Sequence, residues 1–155
     1  MPDIPNQPYE VAVEADIRVR LRDGVNLATD VHRPARDGVP VSARFPVILE
    51  RTPYGKSAPS RTESRAQIAA HFVRHGYIVI YQDCRGRHGS EGEFVKYLSD
   101  AEDGADTVAW ILDQPWCDGR IGTMGLSYAA HTQMALASLG PKGLAAMVQI
   151  GRAHV

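Results

Sequence analysis

Ile121-Gly122-Thr123-Met124-Gly125-Leu126-Ser127-Tyr128-Ala129-Ala130-His131 is the stretch whose reading decides the fold. A short apolar run ends in Gly-Leu-Ser-Tyr, and a helix-forming segment follows. A strand, a sharp turn carrying Ser and then a helix spell a nucleophile elbow. The turn needs a small residue two positions before the Ser, because the strand and helix backbones nearly touch there. Gly125 supplies it, and Ala129 fills the second small position, two after the Ser. A Ser here also suits an ordinary helix N-cap. Its place after a strand, and after two earlier strand–helix units, favours Ser127 as a nucleophile.

Outward from the elbow, the chain reads as alternating strands and helices. Val11, Val13, Ile17, Val19 and Leu21 alternate, as do Val25, Leu27, Thr29 and Val31, with Asp23-Gly24 between them. That spacing predicts a β-hairpin, with Pro34 to Pro40 as loop. Phe45 to Glu50 and Tyr77 to Tyr81 are short apolar runs suited to strands buried on both faces. Between them Ile68, Ala69, Phe72 and Val73 share a helical face, and Gly76 ends the helix. Ser99 to Glu102 spells a capping box, and Ala105, Val108, Ala109 and Leu112 mark the helix it opens. Arg120 to Met124 is the strand before the elbow. A helix runs from Tyr128 to about Leu139, and Leu144 to Val148 begins another strand. An antiparallel start followed by strand–helix alternation predicts an α/β sheet with right-handed crossovers, as an α/β-hydrolase begins.

Composition narrows the partners. The chain has 155 residues, 44% of them hydrophobic and 23% charged, with a net charge of -1, which is one soluble globular domain's worth of sequence. With no Lys/Arg block, nucleic acid and anionic membrane surfaces are not expected partners. Cys84 and Cys117 make no disulfide framework and read as buried small hydrophobes. No signal segment or membrane span is visible, so a cytoplasmic location is expected.

Other motifs carry less. Gly55-Lys56-Ser57 resembles the end of a phosphate loop, but Glu50 stands where that loop needs Gly. Gly86, Gly89 and Gly92 are wrongly spaced for a dinucleotide fingerprint, so no cofactor is expected. His71 and His75 lie four apart on a helix, but Phe72 replaces the Glu of a zinc motif and no third ligand is evident; a solvated helix face is expected. Asp83 ends a strand but precedes the Ser, and reads as a structural partner for a group such as Arg85. Tyr54 follows the strand whose loop, in an elbow-bearing sheet, lends one half of an oxyanion hole; the backbone N–H of Tyr128 supplies the other half. A packing role for Tyr54 stays open on these grounds. His131 and His154 are the histidines after Ser127. The first is expected to face away from the apex and the second to lie in a tail too short to return.

The stretches Leu21-Arg22-Asp23-Gly24-Val25, Arg51-Thr52-Pro53-Tyr54, Gln82-Asp83-Cys84-Arg85-Gly86, Ser90-Glu91-Gly92-Glu93-Phe94, Trp116-Cys117-Asp118-Gly119 and Gly125-Leu126-Ser127-Tyr128 together resemble the CocE/NonD serine hydrolases. These are the Xaa-Pro dipeptidyl-peptidase-like and cocaine esterase-like α/β-hydrolases. The resemblance covers about residues 10–149. It implies Ser127 as nucleophile, the Tyr54 hydroxyl as an oxyanion donor and the Tyr128 N–H as the other, acting on a small ester, amide or peptide substrate. Members of that family continue past this length with a cap, the catalytic Asp and His, and a further β domain. The expectation is an incomplete catalytic domain over 1–149, cut after about the sixth strand and inactive by itself. Ile150 to Val155 matches the translation of a sequencing-adapter string and is expected to be a foreign tail.

Overall fold

A computed structural model describes residues 7–59 and 63–151. A seven-stranded mixed sheet forms the centre: β1 (Glu10–Arg20), β2 (Asn26–Arg36), β3 (Val39–Pro40), β4 (Phe45–Thr52), β5 (Ile78–Asp83), β6 (Cys117–Leu126) and β7 (Leu144–Ile150). Helices α1 (Arg65–Arg74), α2 (Asp100–Leu112) and α3 (Tyr128–Ala137) connect them. The strand order is β1-β2-β5-β4-β6-β7, with β3 paired to β2. The β1–β2 and β2–β5 pairs are antiparallel, and β5, β4, β6 and β7 run parallel.

The side chains explain this architecture. Along β4 and β5 alternate residues enter opposite cores. Val47, Leu49, Ile78 and Ile80 meet Val108 and Ile111 of α2 and Leu136 of α3. Val79 and Tyr81 meet Ala69 and Val73 of α1. The inner strands are apolar on both faces because helices cover both faces. The crossover through α1 carries the chain from β4 to β5, and the one through α2 carries it back past β4 to β6. The order therefore reverses between β4 and β6. At that reversal the loops leaving two adjacent parallel strands diverge and open a crevice at their carboxyl ends. The Tyr54 loop follows β4, and Ser127 follows β6.

Two local expectations are corrected. Residues Pro34 to Arg36 extend β2, and Asp37-Gly38 turns the chain into β3. Pro34 is tolerated because β5 last pairs with β2 at His32, and the Pro34 carbonyl accepts from the Val41 N–H at 2.9 Å. Ser99 precedes α2 but makes no side-chain cap bond, since its backbone (φ -111°, ψ 2°) lacks the extended geometry a capping box needs. The reciprocal box forms instead at Ser64 and Gln67, at the start of α1. Gly76 does end α1, at φ +86°, with its N–H donating to the Val73 carbonyl. Strand β7 begins at Leu144 as expected and runs on to Ile150; residues 152–155, including His154, lie outside the described residues.

Candidate active site

The turn between β6 and α3 holds Ser127 at φ 57° and ψ -118°, a region that L side chains rarely enter. Such strain, of order 1–3 kcal/mol, persists only where neighbours enforce it. Gly125 is one enforcing element. It lies at φ +146°, and a Cβ there would stand 2.5 Å from the Ala129 Cβ. The space that Ala129 takes from the second small position is thus provided by the first. The Ser127 N–H donates to the Ile150 carbonyl at 3.0 Å.

Tyr54 reaches the same point from β4. Its hydroxyl donates to Ser127 Oγ at 3.1 Å and accepts from the Tyr128 N–H at 3.3 Å. The three sequence candidates therefore meet, on residues separated by more than 70 positions. Tyr54 is 48% exposed, half in and half out of the surface. Two clefts flank it. One, of about 430 Å³, is walled by Phe94, Tyr97, Tyr128 and His131 with Ser127 on its floor. The other, of about 420 Å³, is apolar and lined by Ile68, Met124, Leu126 and Val148.

The elbow tyrosine is held by its own side chain. The Tyr128 hydroxyl donates to Asp100 Oδ2 at 2.6 Å and accepts from the Tyr97 N–H at 3.0 Å, and its ring stacks on Tyr97. Burial, then the Asp100 hydrogen bond, pushes this phenol above its ordinary pKa, so it stays a neutral donor. Asp100 is itself buried at the first turn of α2. With Asp100 on Tyr128, an acidic residue that the helix dipole would favour at this end also serves the elbow.

His131 corrects an expectation. Its ring does not face away from the elbow but forms part of the Ser127 cleft, packed on Tyr97 at 4.4 Å between centroids. Its Nε2 comes within 3.4 Å of Asp100 Oδ2 without hydrogen-bond geometry, and no described residue satisfies it. Ser127 Oγ is bonded to Tyr54, not to this imidazole.

Asp83 is structural as expected, but its partners are backbone groups. It accepts from the Lys56 N–H at 2.6 Å and the Gly89 N–H at 3.1 Å. Arg85 pairs instead with Asp103 and Asp23, both at 2.7 Å. Cys84 and Cys117 are buried and free, and burial pushes the Cys84 thiol up to about 12, which keeps it protonated. His71 and His75 sit on an exposed helix face. Among the described residues no group of three or more His, Cys, Asp or Glu could hold a metal ion, and no helix is long and apolar enough to cross a membrane. Lys56, dismissed with the phosphate-loop pattern, is buried and paired to Asp16 at 2.9 Å and Asp30 at 2.8 Å. Burial acts to lower its pKa, but the two carboxylates outweigh that and leave it raised.

Residues 23–153 match the family described as X-Pro dipeptidyl-peptidase (S15 family). The chain belongs to the S15 family. Over 136 residues it is 45% identical to the cocaine esterase of Rhodococcus sp. (strain MB1 Bresler), a match that covers 88% of this chain and 23% of that protein. Among solved structures, a CocE/NonD family hydrolase from Staphylococcus aureus superposes with a TM-score of 0.76 at 30% identity, covering 89% of this chain and 27% of that one. An α-amino acid ester hydrolase gives a TM-score of 0.71 at 27% identity over 95% of this chain and 27% of its own. These relatives carry esterase or hydrolase names, and the chain spans about a quarter of their length.

Proposed function

We propose that this chain carries the nucleophile half of a serine hydrolase acting on esters or amides through an acyl-enzyme. One observation carries the reading: at the strained elbow the Tyr54 hydroxyl lies 3.1 Å from Ser127 Oγ and 3.3 Å from the Tyr128 nitrogen. In the reaction, Ser127 Oγ bonds to the substrate carbonyl carbon while its proton passes to a general base. The carbonyl π electrons move to oxygen, which takes hydrogen bonds from Tyr54 and Tyr128 in place of those they make at rest. Collapse of the tetrahedral centre re-forms the carbonyl and expels the alcohol or amine with the proton. Water then repeats the sequence on the acyl-enzyme. The clefts on either side of Tyr54 offer places for the acyl and leaving groups. S15 membership supports the reaction class.

We infer that the general base is a histidine oriented by a carboxylate, a role that no described histidine fills by hydrogen-bonding Ser127 Oγ. Residues 1–155 alone then turn over esters no faster than their Ser127→Ala variant. In the full-length protein a fluorophosphonate should label Ser127, and Ser127→Ala should abolish labelling and turnover. Tyr54→Phe should lower kcat by about 10²–10³, the usual cost of one oxyanion donor. Labelling that survives Ser127→Ala would sink the assignment.

A further inference from the structure

The Tyr54 N–H donates to Thr52 Oγ1 at 3.1 Å, which ties the near side of its loop but not the far side. Its ring is 48% exposed, at the tip of a loop whose next residue, Gly55, sits at φ +102°. A hydroxyl that must stay 3.1 Å from Ser127 Oγ needs its backbone fixed from below. The loop is fixed at Lys56. This side chain is only 9% exposed, and it turns away from the cleft into the β1–β2 hairpin. There its Nζ meets Asp16 Oδ1 at 2.9 Å and Asp30 Oδ1 at 2.8 Å. Its N–H donates to Asp83 Oδ1. On the other side of Tyr54, the Pro53 carbonyl accepts from Arg87 Nε at 3.2 Å.

The hairpin is deformed to make this contact. The β1–β2 register shifts between Glu14 and Ile17, and Asp16 takes φ 55° with its N–H on Asp30 Oδ1 at 2.9 Å. A bulge re-aims a side chain at a local cost, and here it brings an otherwise exposed carboxylate onto a buried ammonium. A lone buried Lys would be penalised heavily; paired twice, it becomes a directional anchor.

We propose that Lys56 is a positioning residue for the hydrolysis, one that holds the Tyr54 hydroxyl over Ser127 through the Asp16–Asp30 pocket of the bulged hairpin. This rests on the oxyanion role of Tyr54. The chemistry of the ion pocket lies outside the cleft, so its effect should fall on kcat and leave KM alone. Displacements near 1 Å cost about a hundredfold in rate.

The test is a double-mutant cycle in the full-length protein with a chromogenic ester. Lys56→Met should lower kcat by about ten- to a hundredfold with KM within about twofold. Added to Tyr54→Phe it should cost little more, because the group it positions is already gone. Lys56→Arg should recover part of the loss. Asp16→Asn, at the exposed end of the pocket, should give a smaller kcat loss of the same kind, and it serves if Lys56→Met does not fold. If kcat is unchanged in Lys56→Met, or in Asp16→Asn where only that variant folds, the clamp is overturned. So too if the losses of Lys56→Met and Tyr54→Phe multiply in full. An unchanged kcat in Tyr54→Phe overturns the oxyanion reading and the clamp with it. A loss in Tyr54→Phe without one in Lys56→Met overturns the clamp alone.

Discussion

Gly125 and Ala129 share a space that holds one methyl group. Gly125→Ala would put two Cβ atoms 2.5 Å apart at a φ of +146°. The helix start must then move, and Ser127 with it. We expect a loss of about 2–4 kcal/mol in stability, in the range of overpacking plus backbone strain. The rate of fluorophosphonate labelling should fall by at least tenfold. Ala129→Gly, by contrast, should keep the elbow and cost about 1 kcal/mol of helix propensity, read as a lower melting temperature at unchanged labelling. This much of the site was visible in the sequence, because the turn permits few residue types at fixed spacing. What held the site was not. Nothing in the spacing of Asp100 tied it to Tyr128, 28 residues on, and Lys56 looked like part of a failed phosphate motif. Side-chain partnerships across strands depend on the register of the sheet, which no local pattern encodes.

At the scale of elements, the loop after β5 is held by one arginine. Arg85 bridges Asp23 in the hairpin turn to Asp103 in α2, and the Asp103 side chain is nearly fully buried. Asp103→Ala leaves that guanidinium without its better-buried partner and should cost about 3–5 kcal/mol, measured by denaturant unfolding. Asp23→Ala, at the solvent-screened end, should cost much less in the same measurement. Element type and order were legible throughout, because period-2 and period-3.6 patterns survive in buried strands and covered helices. Boundaries were less so. Pro34 reads as a strand breaker, yet it stays in β2 because β5 no longer flanks it there. Ser99-Asp-Ala-Glu reads as a cap, yet Asp100 is drawn to Tyr128 and the backbone of Ser99 departs from cap geometry.

For the whole molecule, two sets of groups set the response to acid. His32 is buried in β2, and burial, the largest influence, lowers its pKa below 6.5. A lowered histidine contributes stability that is complete above pH 6.5 and lost as pH falls through its folded value. Asp16, Asp23 and Asp106 are lowered below 3.8, chiefly by hydrogen bonds to Lys56, Arg85 and Arg22 respectively. Their contribution is complete above about pH 4 and disappears below it. The melting temperature should therefore fall in two steps, and His32→Gln should flatten the first and leave the second. A single step unaffected by His32→Gln would contradict this. Elsewhere the sheet leaves Val148 and Ile150 exposed on its β7 edge, each at 63%. Chain expressed as residues 1–155 should self-associate with rising concentration, seen by light scattering, and Val148→Lys should reduce it. That same edge strand reaches further inward than its exposure implies. The amide proton of Ser127 is shared with the carbonyl of Ile150, so the nucleophile and the outermost strand open together. Hydrogen exchange at that single amide would report, from inside the cleft, whether the rim of the sheet is docked.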